Sequence, residues 1–493
     1  MLMMFDLLVV GGGINGAGIA RDAAGRGLSV LLCEKDDLAQ GTSSRSGKLV
    51  HGGLRYLEYY EFRLVREALI EREVLLAAAP HIIWPLRFVL PHHDGLRPWP
   101  IIRLGLFLYD HLGGRKKLPP TRAIDLRHDP EGVPIRDDFT RAFEYSDCWV
   151  DDARLVVLNA IAAREAGATV LTRTAFRSAR RDHDYWTVEL DDRTVRCRCI
   201  VNAAGPWVEQ VIGRSGINGK RRVRLVKGSH IITRKFWDGP QAYLLQNTDK
   251  RVIFVNPYEK DLTLIGTTDI PYQGPAEEVS IAAHEIDYLL SVLNRYFKRS
   301  LNREDVLHSF SGVRPLYDDD AENPSAVTRD YVFDIDDSAG PPILSVFGGK
   351  ITTYRKLAEH ALDKLRPFFA GMKPAWTSNA PLPGGDIDNA DFERFEADFR
   401  HRHEWLPAEI ASHLARLYGT RAEGIIAGCS TPEDLGRHFG STLYECELRH
   451  LIDGEWAKTA DDVLLRRTKH GLHMTREQIA DLGGWFEKQA RHG

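Results

Sequence analysis

Six residues near the N-terminus have the types and spacing to cradle a pyrophosphate. Gly11-Gly12-Gly13-Ile14-Asn15-Gly16 fits G-x-G-x-x-G through Gly11, Gly13 and Gly16. Gly11 permits a tight turn, Gly13 lets backbone approach phosphate closely, and Gly16 allows a helix to pack against a strand. The helix that follows would offer its N–H groups and the positive end of its dipole to the anion. Glu34, 23 residues beyond Gly11, closes the next strand, where an acid can accept hydrogen bonds from ribose hydroxyls. A glycine-rich turn with no ligand would share the glycines. The preceding strand, the following helix and the acid beyond them favour the nucleotide. No second G-x-G-x-x-G occurs, so this turn serves the one dinucleotide of the chain.

Other chemistries leave no trace. There is no HExxH, P-loop, G-x-S-x-G or EF-hand loop. The six cysteines form no CxxC pair, and their spacing points neither to zinc nor to a disulfide framework. His92-His93 and His401/His403 have no metal-ligand company, so no metal site is expected.

The elements that must hold the turn are readable around it. Residues 6–10 form a short apolar strand, 15–26 a small-residue helix that Gly27 can end, and 29–33 a second apolar strand; so short a strand-helix-strand unit implies a parallel sheet. Residues 57–78 read as a helix stopped near Pro80, and 85–117 as irregular and aromatic. Residues 152–166 are helical, and 169–172, 186–190 and 195–201 are strands, the last running into Asn202-Ala203-Ala204-Gly205-Pro206. From 223 to 268 strand follows strand (223–226, 230–233, 242–245, 251–255, 262–265), the pattern of a separate, mostly antiparallel sheet. Residues 280–297 return to helix, 343–346 are a strand, and Gly348-Gly349 lead into helix 350–365. Beyond about Pro374 the chain is largely helical, with a linker at 381–385 and no assignable motif.

Composition sets broad limits. The 493 residues are 43% hydrophobic and 27% charged, enough for sizeable cores in two to four domains. A net charge of −4 gives no electrostatic reason to expect nucleic acid. No secretory signal precedes the first strand, and no stretch approaches the roughly 18 apolar residues of a membrane span. A reducing, cytosol-facing location is expected.

Six segments carry a family resemblance: 41–57 (GTSSRSGKLVHGGLRYL), 144–155 (EYSDCWVDDARL), 227–230 (KGSH), 311–316 (SGVRPL), 328–331 (TRDY) and 347–355 (FGGKITTYR). In type and order, over most of the chain, they resemble the aerobic, respiratory FAD-dependent glycerol-3-phosphate dehydrogenases. Gly47 departs from the pattern, since Ser or Thr is expected beside Lys48. The resemblance implies an α/β fold in three parts. A discontinuous Rossmann-type FAD-binding domain takes 1–80, about 145–220 and 340–372. An antiparallel β-sheet substrate (cap) domain takes about 81–144 and 221–339. A C-terminal α-helical domain takes 375–493.

It also implies site residues. FAD would be held by Gly11, Gly13, Asn15, Gly16 and Glu34, and by Thr42, Ser43, Ser44, Lys48, Leu49, His51 and Gly52 in the second motif. Ala204, Gly205 and Trp207 would press backbone against the dinucleotide, and Gly348, Gly349, Thr352 and Thr353 would bring a helix N-terminus to the charge that develops on reduced flavin. The implied reaction converts sn-glycerol 3-phosphate to dihydroxyacetone phosphate by hydride transfer to flavin N5. Phosphate recognition favours Arg and Lys. Arg55, Arg314, Arg329 and Lys350 are the matching cations, with Tyr56 as a hydroxyl donor; a surface salt bridge is the ordinary role of any one arginine. His230, Arg314 and Lys350 are the catalytic candidates for handling the alcohol proton, His230 being weighed evenly against a packing role.

The family delivers electrons to quinone as a peripheral protein, a homodimer, on the cytoplasmic face of the inner membrane. The apolar, aromatic stretch 99–109, followed by Arg115-Lys116-Lys117, suits an anionic membrane surface, but an interior helix bordered by a solvated basic loop is the slightly favoured reading. Lys220-Arg221-Arg222 and Arg224 form a second basic cluster. Competing readings are a glycerol-3-phosphate oxidase using oxygen, an amine or amino-acid oxidase on the same scaffold, and a flavin-binding scaffold without turnover.

Overall fold

The computed structural model describes residues 2–217, 219, 221–249, 251–318 and 330–492, with side chains to residue 489. Arg329 and Lys220 lie outside the described residues. Two large sheets meet at the nucleotide turn. In the first, five parallel strands run in the order Ile343–Phe347, Thr194–Asn202, Met4–Val10, Val30–Cys33, Thr169–Leu171. An antiparallel edge strand, Val332–Asp336, flanks one side, and the hairpin Phe176–Arg181/Trp186–Leu190 pairs with Thr194–Asn202. The chain winds outwards in both directions from Met4–Val10, so the strand order reverses between it and Thr194–Asn202. A crevice opens at that switch point beyond the carboxyl ends of the strands. The parallel strands are continuous apolar runs because both faces are covered: Leu7, Val9, Val30, Leu32, Cys199, Val201, Leu344 and Val346 are buried on one face, and Leu8, Val10, Leu31, Ile200 and Ile343 pack with Phe176, Trp186 and Val188 of the hairpin on the other. Helices Ile14–Gly25, Asp152–Glu165 and Tyr354–Leu365 pack on one side.

The second sheet has ten strands and is mostly antiparallel. It is larger than the run 223–268 predicts. Ile83–Pro91 and Arg141–Val150 pair along their lengths and join it, so 85–117 is a strand and a helix (Trp99–Leu112) where the sequence reads as irregular. Arg141–Val150, whose residues 145–150 were expected in the dinucleotide-binding part, pairs in this sheet. Residues 223–226 and 230–233 are one continuous strand, Val223–Arg234, paired along Val306–Tyr317.

The C-terminal helices Phe392–Arg402, Ala408–Tyr418, Glu445–Glu455 and Arg476–His492 enclose their own apolar core. Buried ion pairs tie them to the dinucleotide domain. Arg467 donates to Asp37 at 2.8 and 2.9 Å, Arg466 to the same carboxylate at 2.5 Å, Arg154 to Glu455, and Lys469 to Asp151. Among the described residues no helix is long and apolar enough to cross a membrane.

Candidate active site

The cavity of about 1370 Å³ at the junction of the two sheets collects most of the predicted site residues. Its floor is the nucleotide turn. Gly11 has φ +110°, and a Cβ there would lie 2.6 Å from the Ala203 carbonyl; a Cβ on Gly16 would lie 1.9 Å from the Gly11 carbonyl oxygen. The three chain segments therefore touch backbone to backbone. A Cβ on Gly13 would meet only Ser43 Oγ, at 3.1 Å, and otherwise point into open space. Glu34 accepts from the Gly12 N–H at 2.6 Å and from the Asp36 N–H at 2.9 Å, and burial raises its carboxyl above the usual range. Each oxygen retains a lone pair for a ribose hydroxyl.

The roof comes from the late glycine turn. Gly348 (φ +77°) and Gly349 (φ +105°) adopt left-handed backbone conformations that side chains disfavour. The Gly348 carbonyl accepts from Asn15 Nδ2 at 3.1 Å, which stitches roof to floor. Asn15 Oδ1 is buried beside this contact with no hydrogen-bond partner among the described residues, a vacancy suited to a ligand donor. Thr352 Oγ1 accepts from the His51 N–H at 3.1 Å, and Thr42 Oγ1 donates to the Val313 carbonyl at 2.7 Å. Leu49, Ser43, Ala204, Gly205 and Trp207 complete this half of the lining. An adenine dinucleotide fits these residues: a glycine cradle, a helix N-terminus, an acid at the strand end and an orphaned buried amide oxygen.

Five of the predicted cofactor residues do not line the cavity. Gly16 packs beneath the turn. The Lys48 ammonium turns to Asp152 at 2.7 Å and to the Ser44 carbonyl at 3.2 Å, so Lys48 and Ser44 bind each other and helix Asp152–Glu165. The Gly52 N–H donates to the Tyr109 hydroxyl at 2.8 Å, and Thr353 is buried in the turn that starts helix Tyr354–Leu365. These four brace the residues beside them.

Arg55, Tyr56, His230, Arg314 and Lys350 line the same cavity. Antiparallel register explains two of them. Val226 pairs with Arg314, Gly228 with Gly312 and His230 with Phe310, so Arg314 and His230 share one sheet face at a two-residue period. Gly228 lies between them because a Cβ there would lie 2.9 Å from Arg314 Nη2 and 2.5 Å from Thr267 Oγ1. Arg314 is ion-paired with Asp269. Lys350 Nζ sits 4.0 Å from the Tyr56 ring centroid.

The opposite face of the same strand is held by Glu285. It accepts from Lys227 at 2.6 Å, Ser229 at 2.8 Å, Thr268 at 2.9 Å and the Ala282 N–H at 2.8 Å. Burial alone would raise this carboxyl, but the hydrogen bonds outweigh it and hold it below the usual range. No motif reveals Glu285, because its partners are dispersed along the chain. Asp269, His93, Gln246 and Arg295, which also line the cavity, have no local signal either.

The His230 ring stacks on Phe310 with centroids 4.9 Å apart, and its Nδ1 is buried without a partner among the described residues. Burial first, then the charges of Lys48 and Arg314, pull its pKa from 6.5 down to about 3. The imidazole is therefore neutral at physiological pH. The unfolded chain binds this proton below about 6.5 and the folded chain does not, so His230 contributes stability that is fully present above pH 6.5. That contribution is lost as pH falls towards 3. In denaturant titrations from pH 6 to pH 4, His230→Gln is expected to lessen the decline in unfolding free energy by up to about 1.4 kcal/mol per pH unit, one proton's worth. Equal slopes in the variant and the parent would mean that His230 titrates normally when folded.

Comparisons agree with this geometry. The family model described as FAD dependent oxidoreductase matches residues 6–355, and that described as the C-terminal domain of alpha-glycerophosphate oxidase matches 375–481. The D-erythritol 1-phosphate dehydrogenase of Brucella abortus is 64% identical over 98% of this chain and 97% of its own length. The glycerol-3-phosphate dehydrogenase of Pseudomonas aeruginosa is 54% identical over 99% of this chain and 96% of its own. The crystal structure of the Bacillus halodurans glycerol-3-phosphate dehydrogenase complexed with FAD superposes with a TM-score of 0.77 at 26% identity, covering 98% of this chain and 94% of that one.

Proposed function

The chain belongs to the FAD-dependent oxidoreductase family, and from that premise we propose that it oxidises sn-glycerol 3-phosphate to dihydroxyacetone phosphate. The observation that carries the reading is that Arg55, Arg314 and Lys350 line the same cavity as the dinucleotide cradle. FAD is the cofactor, and when bound it supplies the hydride acceptor. Arg314, steadied by Asp269, and Lys350, against the Tyr56 ring, bind the phosphate dianion and orient the ester, with Arg55 and the Tyr56 hydroxyl closing around it. Arg329 belongs to the same proposed set through its motif alone. Neutral His230 accepts the hydrogen bond of the substrate hydroxyl and takes its proton. The phosphate dianion offsets the cations of Lys48 and Arg314, the smaller contributors to its low basicity after burial.

The 64% identical relative favours a second reading, in which the substrate is a four-carbon polyol phosphate. Gln246, Asn247 and Arg295 line the same cavity and are polar groups suited to the further hydroxyl of such a substrate.

Anaerobic addition of substrate to the yellow holoprotein tests both readings. Glycerol 3-phosphate is expected to bleach the oxidised-flavin absorption and glycerol is not. Faster bleaching by D-erythritol 1-phosphate at equal concentration would select the second reading. Equal bleaching by glycerol would remove the cationic pocket from recognition, and no bleaching by any polyol phosphate would leave a scaffold. Reoxidation by a short-chain quinone faster than by oxygen is expected of a dehydrogenase, and the reverse of an oxidase.

Quinone delivery at a membrane surface, by a homodimer, completes the proposal. Helix Trp99–Leu112 buries Leu106 and Tyr109 but leaves Ile101, Leu104 and Phe107 more than half exposed, so it is no interior helix. Ile101, Ile102 and Gly105 of this helix also line the flavin cavity, which gives an apolar acceptor a route from that surface. Sedimentation with anionic vesicles tests the membrane contact and ultracentrifugation the dimer; a purely monomeric, vesicle-free protein would end this part.

A further inference from the structure

We propose that His413, Glu447 and His470 form a binding site for one divalent cation of the zinc class, outside the flavin cavity. Three elements of the C-terminal domain supply them: helix Ala408–Tyr418, helix Glu445–Glu455 and the turn His470–Leu472. One ligand atom from each lies within 4.8 Å of the other two. Tetrahedral zinc bonds of about 2.0–2.2 Å put ligand atoms about 3.4 Å apart, so a small rotation of the side chains closes the set. No sequence motif announces it, since 34 residues separate His413 from Glu447, and the sequence gives no expectation of a metal.

The second observation is an unmatched carboxylate oxygen. Glu447 is 1% exposed. Its Oε1 contacts His413 Nε2 at 2.8 Å and accepts from the Tyr418 hydroxyl at 2.6 Å. Its Oε2 is buried with no hydrogen-bond partner among the described residues. An ionised oxygen withdrawn from water and left without a donor is costly, and a cation removes that cost. His470, itself buried, packs against His413 with ring centroids 4.6 Å apart and the planes tilted by 31°, and its Nε2 has a 3.4 Å contact to the Thr442 hydroxyl, long for a hydrogen bond. Two imidazoles and a carboxylate suit zinc better than calcium or magnesium, which take oxygen ligands. The Tyr418 hydroxyl fixes the carboxylate orientation as an outer-sphere donor does. The Glu447 oxygen that has no hydrogen-bond partner is the carboxylate ligand, and water fills the remaining position.

The location gives the cation a purpose. Lys469 precedes His470 and is ion-paired with Asp151, which caps helix Asp152–Glu165 through the Arg154 N–H at 3.0 Å. A cation that pins the His470 turn to two C-terminal helices also fixes the lysine that docks them on the dinucleotide domain.

The test uses tag-free holoprotein stripped with EDTA and titrated with Zn²⁺ by calorimetry and with Co²⁺ by visible absorption. One equivalent is expected to bind, with Co²⁺ bands of tetrahedral intensity and a zinc-dependent rise in the unfolding midpoint. His413→Ala removes a ligand from the rim of the domain and is expected to weaken zinc at least tenfold and abolish the rise, with FAD content and turnover unchanged. His413→Gln carries the same test if the alanine variant does not fold. Zinc binding of equal affinity and stoichiometry in parent and variant, or none in the parent, would overturn the site.

Discussion

Replacing Arg314 by leucine is expected to lower kcat/KM for the phosphorylated substrate about 10- to 150-fold while FAD stays bound. Hydrogen bonds to charged groups contribute about 1.5–3 kcal/mol, and each 1.4 kcal/mol is tenfold. Arg314 lies across Gly228, paired with Asp269, and lines the cavity together with Arg55 and Lys350. The variant loses a phosphate donor and leaves the Asp269 carboxylate without this cation in a pocket meant for a dianion, which places the effect in the upper half of the range. Arg314→Lys keeps the charge but not the planar fork and is expected to lose less. Steady-state kinetics with glycerol 3-phosphate, alongside the flavin-to-protein ratio, check this. Unchanged kcat/KM would take Arg314 out of the site; parallel loss of flavin would assign it to the cofactor half.

Gly16→Ala is expected to leave a protein without stoichiometric flavin. The added methyl would lie 1.9 Å from the Gly11 carbonyl oxygen, a backbone atom. Gly11 cannot retreat, because its own Cα already faces the Ala203 carbonyl at a separation that admits no side chain. Overpacking of this kind costs about 1–3 kcal/mol where side chains can yield and more where only backbone is available. Gly13→Ala is the control: its methyl meets Ser43 Oγ at 3.1 Å and otherwise enters the space intended for the pyrophosphate. That variant is expected to fold, melt close to the parent and bind FAD weakly. Melting curves with flavin ratios separate the two cases. A flavin-replete Gly16→Ala protein would show that the helix can shift and that the contact does not constrain the turn.

The nucleotide cradle is legible because its chemistry is contiguous: turn, helix start and terminal acid lie within one strand-helix-strand unit. The second sheet is less so. Ile83–Pro91 carries Pro85 and Pro91, which cannot donate to a ladder, yet pairing with Arg141–Val150 makes it a strand. Arg141–Val150 is buried on both faces beyond its first residue and has no alternation to betray it. Gly228 reads as a turn between two strands, but its missing side chain makes room for a guanidinium across a continuous one. Lys48 illustrates a limit of motifs. It stands in the flavin-contacting segment, but its ammonium pairs with Asp152, a partner 104 residues away that no local pattern discloses.

Asp37 sits in the loop directly after the strand that carries Glu34, and both of its oxygens are taken by arginines from near the far end of the chain. Severing the C-terminal helices would leave Asp37, and Asp151 with it, as anions stripped of these counter-charges next to the nucleotide cradle. The two matched modules are thus poor candidates for exchange by gene fusion or shuffling. A foreign partner would have to bring arginines of the same reach, so the pair is expected to be inherited together.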